Sequence, residues 1–407
     1  MSDIRKIPPF LLFFLFALSQ STESAYTTGL TFIAAEFGVD SSKAQITSSV
    51  YFYGFAFGIL ILGRVSDILG RRPVIIFGLS VFTLSGIICS GAHKIEVLIL
   101  ARFMQAFGAS VCSVVAQAMA RDSYNGVELS RLYAGLSAAL AVSPSISSLI
   151  GGNIVSALGW RYVFYYFVIL GLFMTTMLIL KAPETNKFKG VIKAPFFEVF
   201  KFMIRDKKVM SFALIIGGFN AIMYSFYIEA PFIFISKLSV DPANYGYLIL
   251  LLGVAAASGG AFSRYLLGLG VDGKTLIKWG INFSMFACFS FFLLAVIWSY
   301  RLLPDYIMLK ILILPMILQS SCYSIVMPLV LRYSLEDYAK VNGTAGSIFG
   351  CLYYCVIATS NFITSCLHDD INIIKVSLFF FLITLSTFYL FKLNCSSAKI
   401  NSPYRDL

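Results

Sequence analysis

Twelve stretches of predominantly apolar residues run through the chain, centred near residues 22, 53, 83, 108, 143, 171, 222, 256, 286, 317, 352 and 382. Each is close to the roughly 20 residues that a helix needs to cross a bilayer core. Strands of an outer-membrane barrel run only about 9–11 residues, so these runs are too long for that architecture. With 58% apolar and 13% charged residues, a water-soluble fold would expose apolar patches that soluble monomers rarely carry. The expected class is therefore an all-α polytopic membrane protein. Its twelve transmembrane helices would form two pseudo-symmetric six-helix bundles, an arrangement common among transporters, with the site near the midplane between them. The sequence echo between the halves is weak.

The 31 Lys+Arg exceed the 20 Asp+Glu, and their placement shows what the excess does. With the amino terminus in the cytoplasm, 23 basic residues fall in inward segments and six (Lys43, Lys94, Arg161, Lys237, Arg301, Lys375) in outward loops; Arg102 and Lys310 lie inside helices. Such a bias sets both termini inside and makes the lipid bilayer, not nucleic acid, the expected partner. The apolar run from Pro8 to Ala35 is too long for a signal-peptide core and reads as the first span. The expected organisation is residues 1–181, a cytoplasmic central loop 182–208, residues 209–392 and a cytoplasmic tail 393–407. In the loop, Phe196, Phe197, Phe200, Met203 and Ile204 share a helical face, which fits either a helix lying in the membrane interface or a solvated linker.

Polar residues inside the spans mark the candidate chemistry. In the first span Ser19, Gln20, Glu23, Tyr26 and Thr27 follow helical spacing and make a polar stripe. Arg102, within the fourth span, costs about 2.5–3.5 kcal/mol to insert and belongs against protein or a wet cavity. Gln105, Ser113 and Gln117 extend from it. Glu229, in the outer part of the seventh span, precedes Pro231 and lies near Tyr224, Phe226 and Tyr227. Intramembrane ionisable groups are functional by default, although a neutral, hydrogen-bonded carboxyl and a buried hydrogen-bonding arginine are the competing readings. His93 and His368 fall in outward loops, which makes histidine a poor proton carrier. The 8 cysteines form no metal-ligand pattern, so no metal or cofactor is expected. Gly268 to Thr275 fits the spacing of a phosphate-binding loop but joins two spans, without the strand that motif requires.

Three further segments carry a resemblance. The loop Gly63-x-x-x-Asp67-x-x-Gly70-Arg71-Arg72-Pro73 closely resembles the signature after the second helix of the major facilitator superfamily, which acts there as a gating latch. Leu98-x-x-x-Arg102-x-x-Gln105-Ala106-x-Gly108-Ala109 is similar to its second signature, with Ala106 in place of the usual glycine. Pro144-x-x-Ser147-Ser148-x-x-Gly151-Gly152 partly resembles the antiporter signature of helix five. With Gly159-Trp160-Arg161, Arg121-Asp122, Pro231-Phe232 and Gly343 to Ser347, the chain resembles most the bicyclomycin-resistance (Bcr/CflA) drug:proton antiporters over residues 10 to 392. In the first span this chain has Glu23 and Ser24 where that family places an aspartate, and lacks its prolines.

The resemblance implies a major facilitator fold in a bacterial inner membrane and proton-coupled export of small drug-like compounds. Glu23, Arg102 and Glu229 would handle protons; Gln20, Tyr26, Gln105, Tyr224, Phe226 and Tyr227 would line the cavity; Gly63, Asp67, Gly70, Arg71, Arg72, Arg121 and Asp122 would form the gate. The expected partners are a small-molecule substrate and protons, with the protein a monomer. Import of a nutrient or metabolite, or siderophore export, is the alternative on the same fold. A membrane enzyme or sensor would need a catalytic constellation, and the sequence offers none.

Overall fold

The computed structural model describes residues 6–186, 196–369 and 373–396. Arg5, Lys187, Lys189, Lys193, Lys399 and Arg405, with parts of the 182–208 segment and of the 393–407 tail, lie outside the described residues.

The apolar runs fold as twelve helical rods. The first comprises α1 (Pro9–Thr27) and α2 (Leu30–Phe37), broken at Thr28 and Gly29. There follow α3 (Ser41–Leu69), α4 (Arg71–Ser90), α5 (Ile95–Ala109) continued by α6 (Val111–Ser123), α7 (Gly126–Leu158) and α8 (Arg161–Lys181). After the short α9 (Phe196–Arg205) come α10 (Lys207–Pro231) with a π-helical turn (Phe232–Lys237), α11 (Pro242–Gly268), α12 (Gly273–Ser299), α13 (Asp305–Ile311) continued by α14 (Leu314–Ser334), α15 (Asn342–Leu367) and α16 (Ile374–Ser396). Among the described residues ten rods are long and apolar enough to cross a membrane. The first rod is divided by its break, and in α7 the stretch Val142–Leu158 is a shorter apolar helix.

The polarity is inside out relative to a soluble bundle. Phe14, Phe77, Leu100 and Phe286 are exposed, while Glu23, Arg102, Gln105 and Gln319 are buried. Lipid would cover the apolar exterior, while the polar groups face one another inside the protein.

Two long seams join the first six rods to the last six: α3 lies along α15, and α7 along α11. The second seam depends on small residues. A Cβ on Gly152 would run into the carbonyl group of Pro242 at the start of α11, while its neighbour Gly151 faces α1, where a Cβ would come within 2.6 Å of the Ala25 carbonyl oxygen. Gly152→Val should therefore lower stability by about 1–3 kcal/mol, read as a lower unfolding midpoint in detergent. An unchanged midpoint would show that the seam can part without cost.

The bundle has two distinct ends. At the Asp67 end α9 packs Val199 and Met203 against α10 and α15, while Phe197 is 81% exposed and Ile204 also faces outward. The five residues expected on one face are thus divided, because the face around Val199 and Met203 is the one taken by the bundle. Glu36, Gln45, Trp160 and Asp241 lie toward the other end. The segment with phosphate-loop spacing is a helix–turn–helix connection in which the Asp272 carboxylate accepts from the Lys274 amide at 3.1 Å and so caps α12.

Candidate functional site

At the centre of the first six rods Arg102 of α5 is fully buried and bonded to Glu23 of α1, itself only 2% exposed. Charges so placed must be compensated, and the arginine is surrounded. Its Nη1 donates to Gln105 Oε1 at 2.7 Å, and its guanidinium lies 4.0 Å from the Tyr26 ring and 4.2 Å from the Tyr51 ring. Tyr26 is held in turn by a 2.6 Å hydrogen bond between its hydroxyl and that of Thr47 on α3. The helix carrying Glu23 is fixed from behind by α7. Ser147 Oγ donates to the Ser21 carbonyl at 2.7 Å and Ser148 Oγ to the Ser24 carbonyl at 3.1 Å. The two serines that stand in place of Gly-Pro therefore position the acid. Pro144 lies inside α7 without ending it.

Glu23 Oε1, Arg102 Nε and Gln105 Nε2 are buried and have no hydrogen-bond partner in the protein. Buried polar atoms rarely stay unsatisfied, so the pair retains capacity for a proton or a further polar group. That is the chemistry of a switch: a proton on Glu23 releases Arg102 from its countercharge, and loss of the proton restores the pair.

One turn away, residues from both halves form an aromatic cluster. Tyr224 of α10 donates its hydroxyl to Gln20 Oε1 at 2.6 Å and sits 4.6 Å from the Phe52 ring. Tyr354 of α15 lies 4.6 Å from Phe55 and 6.4 Å from Phe52. Tyr227 stays on this side, 6.2 Å from Tyr224. Phe226 does not: its ring packs edge-on against Phe291 of α12 at 6.0 Å. The expectation that Phe226 lines the cavity is corrected, for a residue two positions along a helix from Tyr224 points to nearly the opposite face.

Glu229 is also differently placed from the expected aromatic setting. Its Oε1 accepts from Gln45 Nε2 of α3 at 3.1 Å, and His368 Nδ1 lies 3.0 and 2.9 Å from its two oxygens. The acid and the histidine side chains are 1% and 3% exposed. His368 follows the last residue of α15, Leu367, in the loop where the sequence places it, and its ring nevertheless reaches Glu229. Gln45 and His368 are the residues that sequence reasoning missed. A buried amide in the second turn of a span was the available signal for Gln45, and only the length of α15 could have indicated His368.

At the Asp67 end the turn between α3 and α4 is made at Gly70 with φ 107°, a conformation open to glycine and strained for other residues. Asp67 pairs with Arg71 at 2.5 Å, and Arg71 Nε reaches Asp122 Oδ2 at 3.2 Å. The backbone amides of Arg71 and Arg72, at the start of α4, donate to the Glu184 carboxylate at 2.9 and 3.2 Å, the arrangement favoured at a helix N-terminus. Asn186 Nδ2 adds a 2.9 Å bond to the Asp67 carbonyl. Arg71 thus links Asp67 to Asp122, and Arg121 lies beside Asp122 in the last turn of α6. Gly63 faces α15, where a Cβ would approach Ser347 Oγ at 2.9 Å.

The family model described as Major Facilitator Superfamily matches residues 10–360. The chain belongs to that superfamily. This major facilitator is a membrane transporter, and its relatives agree. An uncharacterized transporter of Rickettsia bellii (strain RML369-C) is 47% identical over 390 residues, covering 95% of this chain and 96% of its own. The bicyclomycin resistance protein homolog of Haemophilus influenzae is 24% identical over 255 residues, covering 62% of this chain and 64% of its own. Among solved structures, the partially occluded inward-open xylose transporter XylE of E. coli superposes with a TM-score of 0.73 at 13% identity, covering 94% and 96% of the two chains. That likeness shows the major facilitator fold alone.

Proposed function

We propose that this major facilitator exports small, mostly apolar or amphipathic compounds in exchange for protons by alternating access. The observation that carries the reading is the buried Glu23–Arg102 pair with one carboxylate oxygen unpartnered. It lies one turn from aromatic rings contributed by both halves. A compound seated on Phe52, Tyr224 and Tyr354 would meet flat apolar surfaces with hydroxyl tips, suited to drug-sized molecules, and the name of the Haemophilus relative points the same way. The two halves, 1–181 and 209–392, would rock about this site, linked by the 182–208 segment. The basic bias supports an orientation with the Asp67 end and both termini in the cytoplasm, in a bacterial inner membrane. The partners are the compound, protons and lipid, and the protein works as a monomer.

The test uses inverted membrane vesicles acidified inside. Adding lipophilic cations and neutral drugs, bicyclomycin among them, should collapse the pH gradient for some compounds as lumenal protons leave in exchange. No collapse with any compound, together with gradient-driven exit of a preloaded one, would instead establish symport.

The Asp67 network gives a second expectation. Asp67 is half-exposed, so its ion pair contributes little stability, about 0–1 kcal/mol. Asp67→Asn should leave membrane abundance unchanged and still cut the transport rate severalfold, since Arg71 then keeps Asp122 as its countercharge and Ser66 as a neutral acceptor but loses the Asp67 carboxylate. Normal transport at normal abundance would remove the latch role.

A further inference from the structure

The geometry points to Glu229 and His368 as a proton-loaded gate: the outer end closes over this pair only when the two side chains together hold one proton. The inference rests on the alternating-access reading and adds a second proton site to it. Glu229 and His368 both belong to the last six rods, on α10 and just after α15, whereas Gln45 comes from α3 in the first six. The contact across the halves is therefore made by the Gln45 amide, whose Nε2 lies 3.1 Å from Glu229 Oε1 and 3.0 Å from His368 Nδ1. The Phe232 ring covers the imidazole at 5.1 Å. Nearby, α2 meets the π-helical turn, and Ser156 Oγ donates to Asp241 at 3.1 Å. The Phe232 contact lies within the last six rods; the others join the two halves, so this end is shut.

Shutting it removes the pair from water. A carboxylate beside a neutral imidazole carries a net charge, and burying it costs several kcal/mol. One proton makes the pair neutral overall, whether as carboxylate with imidazolium or as carboxylic acid with imidazole. Gln45 suits both forms: its N–H donates to a carboxylate, and, turned over, its carbonyl accepts from a carboxylic acid. The charged groups on the surrounding elements are engaged elsewhere. Lys43 on α3 bonds Glu96, and Glu36 on α2 bonds Trp160 and Arg161. Lys237 on the turn reaches the Asp369 carbonyl and the Trp298 ring, and the Asp369 carboxylate meets Lys375.

The sign follows from proton counting. Over the pH range in which the opened pair carries no proton, closing takes up one, so acid closes the outer end and alkali opens it, by up to about tenfold in the equilibrium per pH unit. An exchanger needs this direction, because the proton-rich side loads the site and loading permits the return step.

Hydrogen–deuterium exchange on the full-length protein in nanodiscs tests this without any transported compound, so the result stands apart from the export reading. After correction for intrinsic exchange chemistry, protection of segments 30–45 and 232–246 should fall by up to about tenfold per pH unit across the titration. Glu229→Gln makes the pair neutral without any proton, so alkali should no longer open the outer end and the loss of protection with rising pH should disappear. His368→Gln leaves the carboxyl to take the proton alone and should move closing to lower pH. A flat profile in the unsubstituted protein, or the same slope in Glu229→Gln, would overturn the proposal.

Discussion

Arg102→Leu should lower the stability of the folded protein by about 3–5 kcal/mol, the loss expected when one member of a buried pair is removed and the other is left as an uncompensated charge. The arginine joins α5 to α1 through Glu23 and fills the space between the Tyr26 and Tyr51 rings. The substitution therefore orphans a carboxylate and opens a gap at once. Adding Glu23→Gln to Arg102→Leu removes the orphan charge, and the double variant should recover most of the loss. Denaturant unfolding of the purified protein measures both. If Arg102→Leu unfolds like its parent, the pair does not hold these helices together.

Glu23→Gln alone should lose coupling completely; it also leaves Arg102 without its countercharge, so it should lower stability, though by less than Arg102→Leu because it opens no gap. Glutamine keeps a hydrogen-bond acceptor for Arg102 and cannot take up or release a proton. In proteoliposomes the variant should equilibrate a compound down its own gradient but fail to accumulate it against that gradient when a pH difference is imposed. Uphill transport equal to the parent's would shift the coupled proton to Glu229 and His368.

The elements of this site differ in how far the sequence reveals them. The rods were legible because hydrophobicity over about 20 residues is a local property, and Arg102 and Glu23 stood out because ionised groups are rare within spans. Their pairing was not legible. They lie 79 positions apart, and only the packing of α1 beside α5 brings them together. The Gln45–Glu229–His368 cluster draws on three rods from two halves, so no local pattern announces it. Phe226 was a different kind of error, since helical spacing alone separates it from Tyr224. The break at Thr28 and Gly29 was hidden within a continuous apolar run.

The central claim is that Glu23 carries a proton that substrate displaces. The most direct measurement is proton release from purified protein in weakly buffered detergent, on adding each compound of the panel, compared between the parent and Glu23→Gln. The account predicts that compounds that collapse the vesicle pH gradient release protons from the parent, and that the same compounds bind Glu23→Gln with no release from that site. Equal release from both proteins would contradict it.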